Sequence, residues 1–243
     1  MSVGLLAWVA LAIAIASFAQ SLAGFGFALL CVPIMTVFVA PHDAVIISTA
    51  IGCFSTTTQA YVDRANTDWV FAKRMIMASF LGMPIGLAVF ISVPETILRF
   101  TLGIVVIVAA FALWRGFSLT GKSNRIDWVL GALSGALSTS LSTNGPPIVF
   151  VMQARQIQPN TFRATINTIF SAAGIASLGL FIAAGKVDKG SFSGILVALP
   201  VLAVSVSIGY RLRKHVHGDR FRTLVLGLLM LSGASAIVAA LTH

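Results

Sequence analysis

Apolar residues run along this chain in ten blocks: 4–20, 27–40, 44–61, 69–92, 96–114, 126–141, 146–154, 162–184, 191–210 and 221–241. A helix that crosses a bilayer needs about 20 residues, with a range of about 17–25. The third, fourth and fifth blocks and the last three meet or approach that length. The second and seventh, which carry Pro33 and Pro146–Pro147, are too short to span comfortably. They read as half-helices or as the returning arms of re-entrant hairpins. The pattern predicts an all-α polytopic membrane protein of 8–10 membrane segments.

The ten blocks divide into two sets of five. Sliding the chain by 119 positions brings Ser21 onto Ser140, Leu22 onto Leu141, Gly26 onto Gly145 and Thr49 onto Thr168. Near the ends of the halves, Leu102-Gly103 faces Leu226-Gly227. Block order carries this repeat more than letters do. It predicts a first membrane repeat over 1–115, a linker over 116–125 and a second repeat over 126–243.

The most polar interruption of an apolar region is Ser138 to Pro147, Ser-Thr-Ser-Leu-Ser-Thr-Asn-Gly-Pro-Pro. Each proline lacks an N–H and clashes with the preceding turn, so no helix runs straight through. Proline is well tolerated at the start of a helix, so a new one is predicted near Pro146, N-capped by Asn144 or Gly145. Ser21 to Phe27, Ser-Leu-Ala-Gly-Phe-Gly-Phe, holds the same place in the first half.

Composition fixes the medium. Of 243 residues, 58% are hydrophobic and 9% charged, with a mean hydropathy of +0.97. Soluble domains carry roughly a quarter charged residues, so the surroundings are a lipid bilayer. The formal net charge of +9 does not signal nucleic acid, because the basic residues sit in loops between apolar blocks. That is the distribution of cytoplasmic loops. The loop Arg211–Arg222 holds five basic residues against Asp219 and is placed inside. Working backwards, the stretches around Arg155 and Arg163, the linker with Arg115, Lys122 and Arg125, and the loop with Arg64, Lys73 and Arg74 are also inside. Pro41-His42-Asp43, Val93-Pro94-Glu95 and Lys186–Lys189 lie outside, as do both termini. An odd number of segments per half makes the halves inverted, a frequent transporter architecture. The amino terminus has no Lys or Arg before its apolar run, which argues against a cleaved signal peptide. Cys31 and Cys53 lie in apolar runs and read as reduced packing residues.

In an inverted pair, the two breaks approach the midplane from opposite faces, where irregular backbone is tolerated only if buried or lining a cavity. Each break starts a helix whose first N–H groups are free and whose dipole is positive there. Two such starts make an anion site without a Lys or Arg. The residues that shape it are Gly24, Phe25, Gly26, Ser142, Thr143, Asn144, Gly145, Pro146 and Pro147, with donors from Ser21, Gln20 and Ser138–Ser140. Asn167 and Gln59, costly to bury, are further candidates. The bland reading of the small polar residues is that they let helices approach closely. Arg155 and Arg163 could draw an anion inwards, but anchoring at headgroups is their commoner role.

Enzymatic chemistry is poorly supported. His42, His215, His217 and His243 fall in loops or at the terminus, and no carboxylate cluster could hold a metal. No cofactor is called for. A membrane-embedded enzyme, or a membrane protein that does not transport, is the alternative.

Ala23-Gly-Phe-Gly-Phe, continuing Ala28-Leu-Leu-Cys-Val-Pro-Ile and then Pro41-His-Asp-Ala-Val, resembles the first-half motif of the sulfite exporter TauE/SafE family of membrane permeases. Thr143-Asn-Gly-Pro-Pro-Ile-Val, followed by Asn160-Thr-Phe-Arg-Ala-Thr, is similar to that family's second-half motif. The resemblance implies a transporter, in the exporting direction, of small sulfur-containing or organic anions such as sulfite or sulfonates. It implies a cell membrane location, expected to be a bacterial inner membrane. The partners expected are a small oxyanion and the lipid bilayer, with no nucleic acid and with room for a homo-oligomer.

Overall fold

The computed structural model describes residues 3–35, 38–39, 41–94, 96–97, 100, 103–104, 107–108, 111, 114–115, 124–187, 189–215 and 218–242. Glu95, Arg99, Leu102, most of the linker (116–123), His217 and His243 lie outside the described residues, as does the side chain of His42. Nine long or half-length helices are described. They are α1 (Val3–Ala23), α2 (Phe27–Met35), α3 (Pro41–Asp63), α4 (Trp69–Ser92), α5 (Asn124–Leu141), α6 (Gly145–Ala154), α7 (Pro159–Ala183), α8 (Lys189–Leu212) and α9 (Gly218–Thr242). Short 3₁₀ turns follow α3 and α8, and the described residues from Thr96 to Trp114 are helical. No strand occurs among the described residues.

Local chemistry sets the ends. Proline opens α3 and α7, where its missing N–H has no intrahelical duty. Asp68 caps α4 by accepting from the Phe71 N–H at 3.0 Å. At about 1.5 Å per residue, the 21 residues of α1 span about 32 Å, whereas the 9 of α2 and 10 of α6 cover about 14–15 Å. The two short helices are therefore each too short to cross a bilayer alone, as their block lengths predict. By length and apolarity, α1, α4, α7 and α8 each contain a span able to cross a membrane. The helix ends repeat at a spacing of 118, matching Ala23 with Leu141, Phe27 with Gly145 and Pro41 with Pro159. That is one residue less than the letter matches suggest, and it pairs Gly24 with Ser142.

Burial is arranged as a bilayer requires. Large apolar side chains such as Leu81, Ile85, Ile175, Leu196 and Val204 face outwards, while Ser17, Gln20, Ser55, Gln59, Ser138 and Asn167 are inside. The principal packed pairs are α4 with α5, α3 with α7 and α1 with α8. Between α4 and α5, a Cβ on Gly82, Gly86 or Gly135 would collide with the facing backbone of Ala132, Ala136 or Ser79. The Gly-xxx-Gly spacing thus serves backbone approach, and Thr139 Oγ1 donates to Met83 O at 2.8 Å across it. Gly103 and Gly233 meet in the same way, joining the segment near residue 103 to α9.

Among the described residues, two ion-pair clusters tie distant parts of the chain together. Asp127, with no exposed surface, accepts from Arg74 at 2.7 Å and from Arg155 at 2.6 Å. Asp63 takes a two-pronged contact from Arg213 and a hydrogen bond from Tyr210 at 2.8 Å. Burial alone would raise the Asp63 carboxyl, but the Arg213 and Tyr210 hydrogen bonds outweigh it and hold the group below its ordinary range. Arg155 is therefore spent on Asp127 rather than on headgroups. Arg163 is 2% exposed and lies inside the protein, so the anchoring role fails for it too.

Candidate functional site

The first break is built from two glycines in the left-handed region, Gly24 at φ +87° and Gly26 at +95°. The Gly24 N–H still reaches back to Gln20 O at 2.6 Å, ending α1, and the Leu30 N–H returns to Gly26 O at 3.2 Å, starting α2. Above this turn lies Arg163, whose Nε donates to the Leu22 carbonyl at 2.8 Å. The contact is close: a Cβ on Gly24 would sit 3.0 Å from Arg163 Cα. A guanidinium on the carbonyl end of α1 answers both an orphan acceptor and the negative pole of that helix.

The second break is built differently. Ser142 takes the left-handed conformation at φ +55°, which a non-glycine residue adopts at a cost. Its hydroxyl is fixed by Thr49 Oγ1 at 2.8 Å. The Thr143 N–H turns back to Leu137 O at 3.1 Å and closes α5. Asn144 is the N-cap residue of α6, but its backbone is helical and its side chain makes no capping bond. What secures it is Ser134 Oγ, donating to the Asn144 carbonyl at 2.7 Å.

The breaks converge. A Cβ on Gly145 would lie 3.6 Å from the Phe25 ring and 3.9 Å from Leu29, so the start of α6 abuts the start of α2. Between them is a cavity of about 50 Å³. A single water needs about 10–15 Å³, so there is room for several waters or one compact solute. The first break contributes Gly26 to Leu29, and the second contributes Ser142 to Gly145, with Ser138 one turn below. A third wall is the face of α3 formed by Ser48, Thr49, Gly52, Cys53 and Thr56; Gln20, Phe170 and Gly174 complete the lining. No Asp, Glu, Lys, Arg or His is in this described wall.

Of the residues singled out from the sequence, Gln20, Gly26, Ser138, Ser142, Thr143, Asn144 and Gly145 stand in the wall. The others sit behind it. Phe25 is fully buried with its ring edge-on to Phe162, and Pro146 and Pro147 are buried in α6. Ser21 bonds its own turn at Phe18 O, and a Cβ on Gly209 would run into it. Gln59 donates to Ser55 Oγ at 3.0 Å, and Ser55 donates to Gln20 Oε1 at 2.7 Å, so Gln59 touches the cavity only through Gln20. Asn167 Nδ2 holds the Arg163 carbonyl at 2.9 Å, behind the first break. Sequence reasoning passed over Ser48, Gly52 and Gly174. A signal existed for the first two, since Ser48, Gly52 and Thr56 recur at helical spacing as one small, polar stripe of α3.

Electrostatically, α2 and α6 both point their positive ends at the cavity. Their N–H supply is unequal. The first turn of α2 offers Phe27, Ala28 and Leu29, whereas in α6 Pro146 and Pro147 have no N–H and Gly145 alone can donate. Hydroxyl groups of Ser138, Ser142 and Thr143 are concentrated on the side where N–H groups are fewer.

Comparison with known proteins places this arrangement. The family described as Sulfite exporter TauE/SafE matches residues 9–236. The chain is 31% identical over 104 residues to the "Probable inner membrane transporter protein TsaS" of Comamonas testosteroni, covering 42% of this chain and 44% of that one. That match spans less than half of the relative's length. It is also 23% identical over 184 residues to the "Probable sulfite/organosulfonate exporter TauE" of Cupriavidus necator, covering 72% and 70% of the two chains. No solved structure matches.

Proposed function

The chain belongs to the sulfite exporter TauE/SafE family, and from that premise we propose that it carries a small sulfur-containing or organic anion, such as sulfite or a sulfonate, out across the cell membrane. The observation that carries the reading is the uncharged cavity held between two helix starts, where backbone dipoles and neutral donors face the solute. The family and both relatives are named as transporters or exporters, not enzymes. An inside-negative potential of about 100 mV favours exit of a monovalent anion by about 2.3 kcal/mol, so export of such an anion has a driving force in hand. Gly24, Phe25, Gly26, Ser142, Thr143, Asn144, Gly145, Pro146 and Pro147 shape the site; Ser21, Gln59 and Asn167 support it from behind.

We further propose two inverted repeats, 1–115 and 126–243. In support, the helix lengths run in the same order in both halves, with a half-crossing second in each. The packing also exchanges as a two-fold axis in the membrane would require: α1 lies on α8 as α5 lies on α4, and α3 meets its counterpart α7. The basic stretches around Arg74, Arg155 and Arg213 share the two ion-pair clusters. Placing that face in the cytoplasm puts both termini outside, in a bacterial inner membrane.

Uptake of sulfite, methanesulfonate and related anions into proteoliposomes tests the function. Flux above that of protein-free vesicles is expected, and no movement of any of these anions would end the transport reading.

A further inference from the structure

Ser48 is 1% exposed, and its Oγ is paired with no oxygen or nitrogen. It lies in the cavity wall on α3. Its neighbour is the Cys31 sulfur, a weak acceptor for the Ser48 hydroxyl, whose own thiol hydrogen is turned to the Met35 sulfur at 3.7 Å. A buried hydroxyl with only a weak sulfur acceptor costs free energy that a stronger acceptor arriving in the cavity would recover. The other wall residues with hydroxyls are already engaged: Thr49 with Val45 O and Ser142, Thr56 with Gly52 O, Ser138 with Ser177, and Thr143 with a contact of its own. Ser48 is therefore the wall hydroxyl held in reserve, opposite the free N–H groups at the start of α2.

These donors are all neutral. The cost of moving an ion from water into a poorly polarisable site grows with the square of its charge, while its attraction to fixed dipoles grows only in proportion. A wall with no cation, Arg163 being turned to the Leu22 carbonyl at the first break rather than into the lining, can compensate one negative charge far better than two. Resting on the anion-carrier reading above, we propose that this cavity selects compact monoanions over dianions, with Ser48 as a direct donor to the bound oxyanion. Singly charged sulfonates and bisulfite would qualify, whereas sulfate and fully deprotonated sulfite would be rejected at the same size.

The test measures binding by thermal shift on the full-length protein in detergent. The probes are methanesulfonate, a monoanion throughout, sulfate, a dianion throughout, and sulfite, which titrates between the two near neutral pH. Methanesulfonate is expected to raise Tm at all pH values, and sulfate to leave it unmoved at matched ionic strength. The sulfite shift should shrink as pH rises through neutrality. Cys53, the titratable side chain in the described wall, affects both ligands, so the methanesulfonate series separates its contribution. Ser48→Ala should weaken methanesulfonate about tenfold, as loss of one bond to an anion predicts, with the ligand-free Tm level or slightly raised because a poorly satisfied hydroxyl is removed. Sulfate stabilising as well as methanesulfonate would overturn the charge selection while leaving anion binding intact. Unchanged methanesulfonate affinity in folded Ser48→Ala would remove Ser48 from the site. If none of the three anions binds, this inference and the carrier reading beneath it fall together.

Discussion

The two breaks around the cavity do the same geometric job with opposite means. At Gly24–Gly26 the turn is made by residues that have no side chain to strain, and a buried cation, Arg163, grips the carbonyl end of α1. At Ser142–Asn144 the turn is made by a serine forced into the left-handed region, held by hydroxyl contacts and followed by two prolines. The first therefore supplies flexible backbone with several free N–H groups. The second supplies a stiff frame with one free N–H and a row of hydroxyls. One half presents the peptide chain to the cavity and the other presents side chains, so substitutions should not have equivalent effects in the two halves.

The sharpest way to break this contrast is Gly24→Val. The left-handed backbone alone costs a branched residue about 1–3 kcal/mol, and the new Cβ presses on the Arg163 backbone. Severe loss of folded protein in detergent thermal unfolding is expected; a variant melting like the parent would show that the turn is not under steric control. Arg163→Met comes next. It leaves the Leu22 carbonyl without its donor, at about 1–3 kcal/mol, and anion affinity should fall with stability because α2 loses its fixed aim. Arg163→Lys should restore little, since the bond comes from the guanidinium Nε.

Ser142→Gly makes the second break resemble the first. Relief of strain and loss of the Thr49 hydrogen bond, about 0.5–1.5 kcal/mol, should nearly cancel in Tm, while ligand affinity drops. A Tm lowered as far as in Gly24→Val would refute the account of Ser142 as a strained but replaceable corner. The smallest effect belongs to Pro146→Ala, which returns an N–H to the first turn of α6. An increase of a few-fold in anion affinity is expected in a titration, and a decrease would mean that the prolines are needed for rigidity rather than merely tolerated.

Much of this was readable from residues alone, for identifiable reasons. Asn-Gly-Pro-Pro and Gly-Phe-Gly announce themselves because only certain backbones accept them, and 9- and 10-residue helices follow from the short blocks beside them. Partnerships were not readable. Arg155 and Arg163 looked like interchangeable surface cations, yet one is locked on Asp127 and the other is buried on Leu22. Nothing in the letters says which carboxylate or carbonyl lies opposite an arginine. Ser48 was overlooked for a similar reason: a serine in a membrane helix usually bonds its own turn, as Thr49 does beside it, and only coordinates reveal one that does not.

The pairing of α1 with α8 has a consequence for biosynthesis. The inner face of α1 carries Ser17, Gln20 and Ser21, all shielded in the finished protein. During synthesis at about 5–20 residues per second, the helix that covers it emerges on the order of 10–40 s after α1 itself. Through that interval, the amphiphilic first helix must wait beside lipid or an insertion factor. The two halves are thus interlaced in assembly, and a fragment ending after residue 115 should be captured by membrane quality control rather than persist as half a carrier.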